Sequence, residues 1–218
     1  MLIKSFKGSM TALILVLSAV LIANTAEPYK LVVQSANIRM DGLANKGESS
    51  QHDWDATYTQ FNMDTDFAFR AAPKDALGLF SDAPQMKKFV LTINVENFST
   101  TKSPGFMFKK YYYESMKFDD HKSIVFTASK NTAIPDRAAK NKYIISMTGT
   151  LKVAGVEKPV VIDLIATATD KTITFSGVKI IDMADFGIKP PKMDFPKKSY
   201  VDSKATLKWV IVASIAKK

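Results

Sequence analysis

The chain of 218 residues contains two histidines, His52 and His121, and no cysteine. Thiolate catalysis, disulfides, iron–sulfur clusters and cysteine-based zinc sites are therefore excluded. Two histidines so far apart in sequence offer little for a histidine metal site or a histidine-based triad. His52-Asp53-Trp54-Asp55 has the composition of a metal pair beside an aromatic. Adjacent strand residues point to opposite faces, so His52 and Asp53 would not share a ligand there, and a structural or loop role is expected. Asp64 and Asp66 share one strand face, with Phe67 and Phe69 on the other, and read as solvated carboxylates. Asp185-Phe186-Gly187 spells the metal-binding triplet of kinases. It lacks the glycine-rich loop, the strand lysine and the catalytic loop that give the triplet its meaning. Asp163 and Glu157 lie in or beside strands, but alternation turns Asp163 away from Ile162 and Leu164. No catalytic residue, metal site or cofactor is assigned, and the chain is read as a non-enzyme.

With 30 Lys+Arg against 21 Asp+Glu, the formal charge is +9. Hydrophobic residues make up 46% and charged residues 23%, which is globular rather than disordered composition. The lysines are spread thinly, and arginine, the residue that forks onto bases and phosphates, stands only at Arg39, Arg70 and Arg137. Nucleic acid is not expected as a partner. Lysines on the wet face of a sheet guard against edge-to-edge pairing. A weak contact with an anionic membrane surface fits the same charge. At the N-terminus, Lys4 and Lys7 precede the apolar run Met10–Ala23 and the small-residue stretch Asn24-Thr25-Ala26. This order is that of a secretory signal peptide, residues 1–26, and implies a periplasmic or secreted protein cut near Ala26.

What remains, residues 27–218, is read as one domain. Its dominant signal is alternation at period two. Phe89, Leu91, Ile93 and Val95 alternate with polar residues, as do Ile124, Phe126 and Ala128. Tyr143, Ile145, Met147, Gly149, Leu151 and Val153 form the cleanest series, followed by Val160, Ile162, Leu164, Ala166 and Ala168. In the clean series Ile145, Met147, Leu151 and Val153 are expected inside, and Ile144, Ser146, Thr148 and Lys152 outside. Further strands are expected at Lys30–Met40, which carries an irregularity near Ser35-Ala36-Asn37 and ends at an Asp41-Gly42 turn, and over Trp54–Phe69, Lys171–Met183 and Ser203–Ala213. About eight strands joined by short turns give an antiparallel sandwich or a closed barrel. One stretch departs from the pattern. Phe106–Phe118 places Phe108, Tyr112, Ser115 and Met116 on a helical stripe, with Ser103 as cap and Pro104 in the first turn.

These residues also carry a resemblance. Tyr143–Val160 (YIISMTGTLKVAGVEKPV) is similar to the signature hairpin of the YceI-like, lipocalin-like family, with Gly149, Leu151, Val153, Gly155, Lys158, Pro159 and Val160 in its positions. Tyr113–Ser129 resembles the family's helix end and following strand, anchored by Met116, Ile124 and Phe126. Ser50–Trp54 resembles a variant of its first hairpin, and Ile181–Pro191 the segment before its last strand. Departures are the aromatic, basic Phe106–Tyr113 and the lysine-rich Pro190–Ser199.

The resemblance implies an all-β fold: an eight-stranded antiparallel, lipocalin-like barrel with a short amphipathic helix near its opening. It further implies a periplasmic carrier that holds a polyisoprenoid or similar amphiphile in an interior channel. Phe108, Tyr112 and Met116 of the helix and Phe126, Met147, Leu164 and Phe175 of the strands would then face the chain, with Lys109 or Lys110 near an anionic head group. Gly149, Ala166, Ala168 and Gly177 would leave volume among the larger inner residues. Two other readings stand beside it. A protein-interaction module would use the barrel exterior and the aromatic helix, with Phe106, Phe108 and Tyr111–Tyr113 exposed. A lipid isomerase or hydrolase would need a buried acid or base in the cavity. The expected partner is an isoprenoid or fatty lipid. Oligomeric state is left open, with a homodimer compatible. The N-terminal reading is tested by intact mass. Protein recovered from the periplasmic or secreted fraction should lack residues 1–26, whereas full-length chain confined to the cytoplasm would contradict export.

Overall fold

Alternation at period two puts an apolar face on every long strand, and the strands bury those faces by closing on themselves. The structure, a computed structural model, describes residues 27–69, 73, 76, 78–81, 85–102, 105–139, 141–193 and 199–218. The expected signal peptide and the Ser103-Pro104 helix start lie outside the described residues. The strands are β1 (Glu27–Ala44), β2 (His52–Tyr58), β3 (Phe61–Phe69), β4 (Gln85–Asn94), β5 (Phe98–Ser99), β6 (Ser123–Pro135), β7 (Lys142–Val153), β8 (Val156–Ala168), β9 (Ile173–Asp182), β10 (Lys192–Met193) and β11 (Ser199–Lys217). The one-turn helix α1 (Gly78–Ser81) follows β3, and α2 (Gly105–Met116) follows β5.

Eight strands form the barrel in the order β11-β9-β8-β7-β6-β4-β3-β1, and β1 returns to β11. Every pairing is antiparallel. β2 continues the line of β3 along β1, and the short strands β5 and β10 add to β2 and β11. The single segment expected over Trp54–Phe69 is interrupted at Thr59-Gln60, whose backbone bonds Asn97 and Asn94 instead. The interruption turns the apolar series from even to odd positions, from Tyr58 to Phe61. Where the β1–β3 pairing has ended at Tyr29/Phe67, the Leu31 N–H donates to the buried Thr65 hydroxyl at 2.8 Å, so a side chain supplies a bond the ladder lacks.

The Asp41-Gly42 turn is not formed. β1 runs on to Ala44, with register shifts at Val33/Ser35 and Gly42/Ala44. Gly42 is there for space: a Cβ would overlap the Trp54 indole. The chain reverses after Asn45, whose positive φ of 53° suits that reversal. The β7–β8 turn is the expected one. Val153 faces Val156 across Ala154 and Gly155, both at positive φ, the signature of a type I′ hairpin. In β7 the buried members are Ile145, Met147, Leu151 and Val153, while Ile144, Thr148 and Lys152 are exposed. The phase is the expected one, including the exposed Ile144.

α2 ends at Met116, the last member of the expected stripe and two residues short of Phe118, because Lys117 takes a positive φ of 51°. Its buried face is Tyr112 and Met116. Two of the small residues expected to leave volume do something else. A Cβ on Gly177 would overlap the Trp209 indole directly across the ladder, and one on Gly149 would meet the Phe126 ring and the Thr127 carbonyl. The absent side chains are occupied by neighbours. Gly177→Ala should therefore destabilise the fold by about 1–3 kcal/mol, the usual size of an overpacking penalty. In urea melts, Trp209→Leu should recover part of that loss in the double variant, since the two sites share one space.

Candidate functional site

The barrel is filled at one end and hollow at the other. At the filled end Tyr112 packs on Phe98 with ring centroids 4.7 Å apart, and Phe98 lies 6.3 Å from Tyr58. Trp54, Met40 and Met116 complete this plug, leaving a void of only about 50 Å³. Beyond it lies a cavity of about 870 Å³. Its wall is apolar: Leu31, Met63, Phe67, Phe89 and Leu91 on one side, Phe126, Ile145, Met147, Ile162, Leu164 and Phe175 on another, closed by Trp209 and Ile211. Leu79 and Phe80 of α1 stand at the far end, where the Phe80 ring stacks on Tyr143 at 4.5 Å.

Polar groups reach the wall at two places. A bulge between Ala128 and Lys130 shifts the phase of β6, so Asn131 and Ala133 face Met147 and Ile145 and line the cavity. The second place is a break in the wall. The β8–β9 ladder runs from Ala168/Ile173 only to Leu164/Gly177. Val156–Asp163 and Val178–Asp182 then run on without pairing to each other. Pro159 suits such an edge, having no N–H to offer a neighbour. The cavity reaches the surface here, lined by Lys158, Pro159, Val161, Lys179, Ile180, Asp182 and Asp185.

Two buried polar contacts, a tyrosine pair and a carboxylate network, hold the filled end. The Tyr58 and Tyr112 hydroxyls bond at 2.6 Å, tying α2 to β2, and burial pushes both phenols up from their ordinary value. Asp55, fully enclosed, accepts from the Thr101 N–H at 2.9 Å, the Lys102 N–H at 2.8 Å, and the Thr100 and Thr101 hydroxyls. Burial pushes its carboxyl up, but these donors outweigh burial and hold it below the usual range. Arg39 stands 3.6 Å away. Asp55 thus pins the approach to α2.

A family model described as the YceI-like domain matches residues 29–213. The chain belongs to the YceI-like family. No curated protein matches the sequence. Among solved structures, BcnA of Burkholderia cenocepacia superposes with a TM-score of 0.56 at 16% identity, covering 85% of this chain and 100% of that one. A polyisoprenoid-binding domain from Saccharophagus degradans, described as implicated in plant cell wall breakdown, gives 0.53 at 10% identity, covering 85% and 97%. A mutant of the Campylobacter jejuni YceI protein gives 0.51 at 20% identity, covering 75% and 85%. At these identities the likeness is one of fold, and this chain has the family's closed eight-stranded barrel.

The YceI barrel brings four of the expected residues together: Phe126, Met147, Leu164 and Phe175 all line the cavity. Tyr112 and Met116 do not reach it. They face the small void at the filled end, because Tyr112 is drawn into the Tyr58 bond. The Lys109 ammonium lies over the Phe98 ring at 5.5 Å, outside the cavity lining. Phe108 belongs to α2, but its side chain, like that of Phe106, is outside the described residues. Tyr113 is half-buried and donates to the Glu96 carbonyl at 2.6 Å, so it is engaged within the fold rather than held free for a partner. Asp163 faces outward and accepts from Ser146.

Sequence reasoning missed Asp55, Lys158 and Lys179 as positioned groups. Asp55 carried no signal of its own, since an acid alternating with Trp54, Ala56 and Tyr58 reads as a wet-face residue; the Thr100–Lys102 segment folding over it is what buries it. Asp55→Ala leaves two backbone N–H groups without their acceptor and should cost about 1–3 kcal/mol. A carboxyl held low in the fold stabilises it above the unfolded value of about 3.9, and that contribution is lost as pH falls through the lower folded value. Acid titrations should accordingly show a smaller loss of stability below about pH 4 in the variant than in the wild type.

Proposed function

We propose that this protein is an exported carrier that holds one isoprenoid or other long-chain amphiphile lengthwise in its barrel. The observation that carries the reading is the continuous apolar cavity of about 870 Å³. That volume lies in the range of about 300–1,000 Å³ typical of small-ligand sites. Its wall combines flat aromatic rings with Met63, Met86 and Met147, which adjust to an irregular or flexible chain. Each methylene withdrawn from water contributes about 0.8 kcal/mol gross, offset in part by the ordering of the chain. An isoprenoid is favoured as the chain by family membership and by the described ligand of the Saccharophagus domain.

Binding rather than catalysis suits the wall. The charged side chains that line the cavity are confined to the β8–β9 opening, away from the apolar depth where the chain would lie. The N-terminal charged–apolar–small order supports export, and the positive charge supports weak attraction to an anionic membrane surface.

Organic extract of gently purified protein should contain a long-chain lipid by mass spectrometry. In titrations with a fluorescent isoprenoid alcohol, Met147→Trp should abolish uptake by placing an indole across the cavity. The variant should still fold, shown by its circular dichroism and melting transition. A folded Met147→Trp protein with unchanged affinity would remove the chain from the barrel.

A further inference from the structure

Lys158 and Lys179 are oddly placed for surface lysines. On β8, Lys158 is in phase with Val160, Ile162 and Leu164, and on β9, Lys179 is in phase with Phe175, Gly177 and Ile181. Both belong to the inner face, and both line the cavity. An ammonium on the inner face of an apolar barrel needs water or an anion. Both stand where the β8–β9 ladder has ended, so the cavity opens to solvent beside them. Lys179 reaches across the break and donates to the Val161 carbonyl at 3.1 Å.

Eight other lysines are ion-paired on the barrel surface. Among the described residues, neither Lys158 nor Lys179 pairs with a carboxylate, although Asp182 and Asp185 line the same opening. The Asp182 carboxylate is turned to the backbone, accepting from the Ala184 N–H at 3.0 Å where it caps the 3-10 turn Met183–Phe186. The outer lips of the break are apolar and exposed, at Val161, Val178 and Ile180.

We propose that the break between β8 and β9 is a side opening that seats an anionic head group, with Lys158 and Lys179 as its cations and the chain running inward past Ile162 and Phe175. The proposal rests on the carrier reading of the cavity and moves the head-group site from α2 to the barrel side. An ammonium on a flexible apolar stem meets both demands, since the stem lies along the wall while the head meets the anion. Charge-assisted bonds of this kind are the stronger class.

The test compares a fluorescent isoprenyl phosphate, the corresponding neutral alcohol and inorganic phosphate. The proteins are the wild type, Lys158→Met, Lys179→Met, the double variant, and Lys109→Met as a control on α2. The wild type should bind the phosphate ester at least about tenfold more tightly than the alcohol, and the double variant should lose that preference. Its affinity for the alcohol should stay within about twofold, which also shows that it folds, and Lys109→Met should behave as wild type. Inorganic phosphate at the same concentrations should neither bind nor compete. A double variant that keeps the preference would overturn the proposal, as would one that loses ester and alcohol equally. Inorganic phosphate binding as tightly as the ester would make this a free-anion site and overturn the head-group assignment. A wild type that binds neither ester nor alcohol would instead sink the carrier reading itself.

Discussion

The pairing of β1 with β11 runs from Tyr29 opposite Lys217 to Ala44 opposite Val201, and it turns a long antiparallel sheet into a closed wall. These strands lie at opposite ends of the described chain, so their ladder is the most non-local contact in the molecule and the slowest kind to form. Asn45 fastens its end. The Asn45 N–H donates to the Tyr200 carbonyl at 2.8 Å, and the Asn45 amide oxygen accepts from the Tyr200 N–H at 2.9 Å. Closure gives the long strands two neighbours over much of their length and confines open edges, which invite aggregation, to the stretches where a ladder stops short, as between β8 and β9. It also fixes which side chains face inward, since a slip of one residue would turn the whole apolar set outward.

A closed wall of eight strands encloses more space than average side chains fill, and this sequence spends its large residues unevenly. Trp54, Tyr58, Phe98, Tyr112 and Met116 concentrate at one end, where the Tyr58–Tyr112 bond and the Asp55 network lock α2 down. The glycines of the ladder serve this packing. Gly42 admits Trp54 and Gly177 admits Trp209, so rings lie flat against backbone rather than projecting into the lumen. The hollow half survives because its aromatics are drawn to the wall. The helix is thus a plug on the packed end, and one way to the surface lies where the β8–β9 ladder fails.

Much of this was legible in the sequence, for a physical reason. Period two is enforced by backbone geometry, so the phase of β7 and the inner placement of Phe126, Met147 and Leu164 could be read directly. The type I′ turn at Ala154-Gly155 was marked by its glycine. The illegible features are those in which tertiary contact overrides local pattern. Asp41-Gly42 has turn chemistry, but the pressure of the Trp54 indole makes that glycine a strand residue. Tyr112 shows the right stripe, yet its partner is the Tyr58 hydroxyl rather than the lumen. Lys158 and Lys179 look like wet-face lysines until the register shows that they stand on the inner face beside an unpaired stretch, whose mark in the sequence is the neighbouring Pro159.

The hollow half sets folding against binding. A void in an apolar core forfeits the dispersion contacts that its lining atoms would make, and the penalty grows with its volume. A cavity of about 870 Å³ leaves much apolar wall without protein contacts, and closure and the packed end must offset that loss. An apolar chain entering it restores those contacts, and a ligand that binds only the folded state stabilises it by mass action. Folding and binding then draw on the same wall residues. Larger inner side chains would stabilise the empty barrel while removing the space for the chain, and smaller ones would do the reverse. Methionine at Met63, Met86 and Met147 eases the conflict, because an unbranched thioether can relax into vacant space and withdraw when a chain enters.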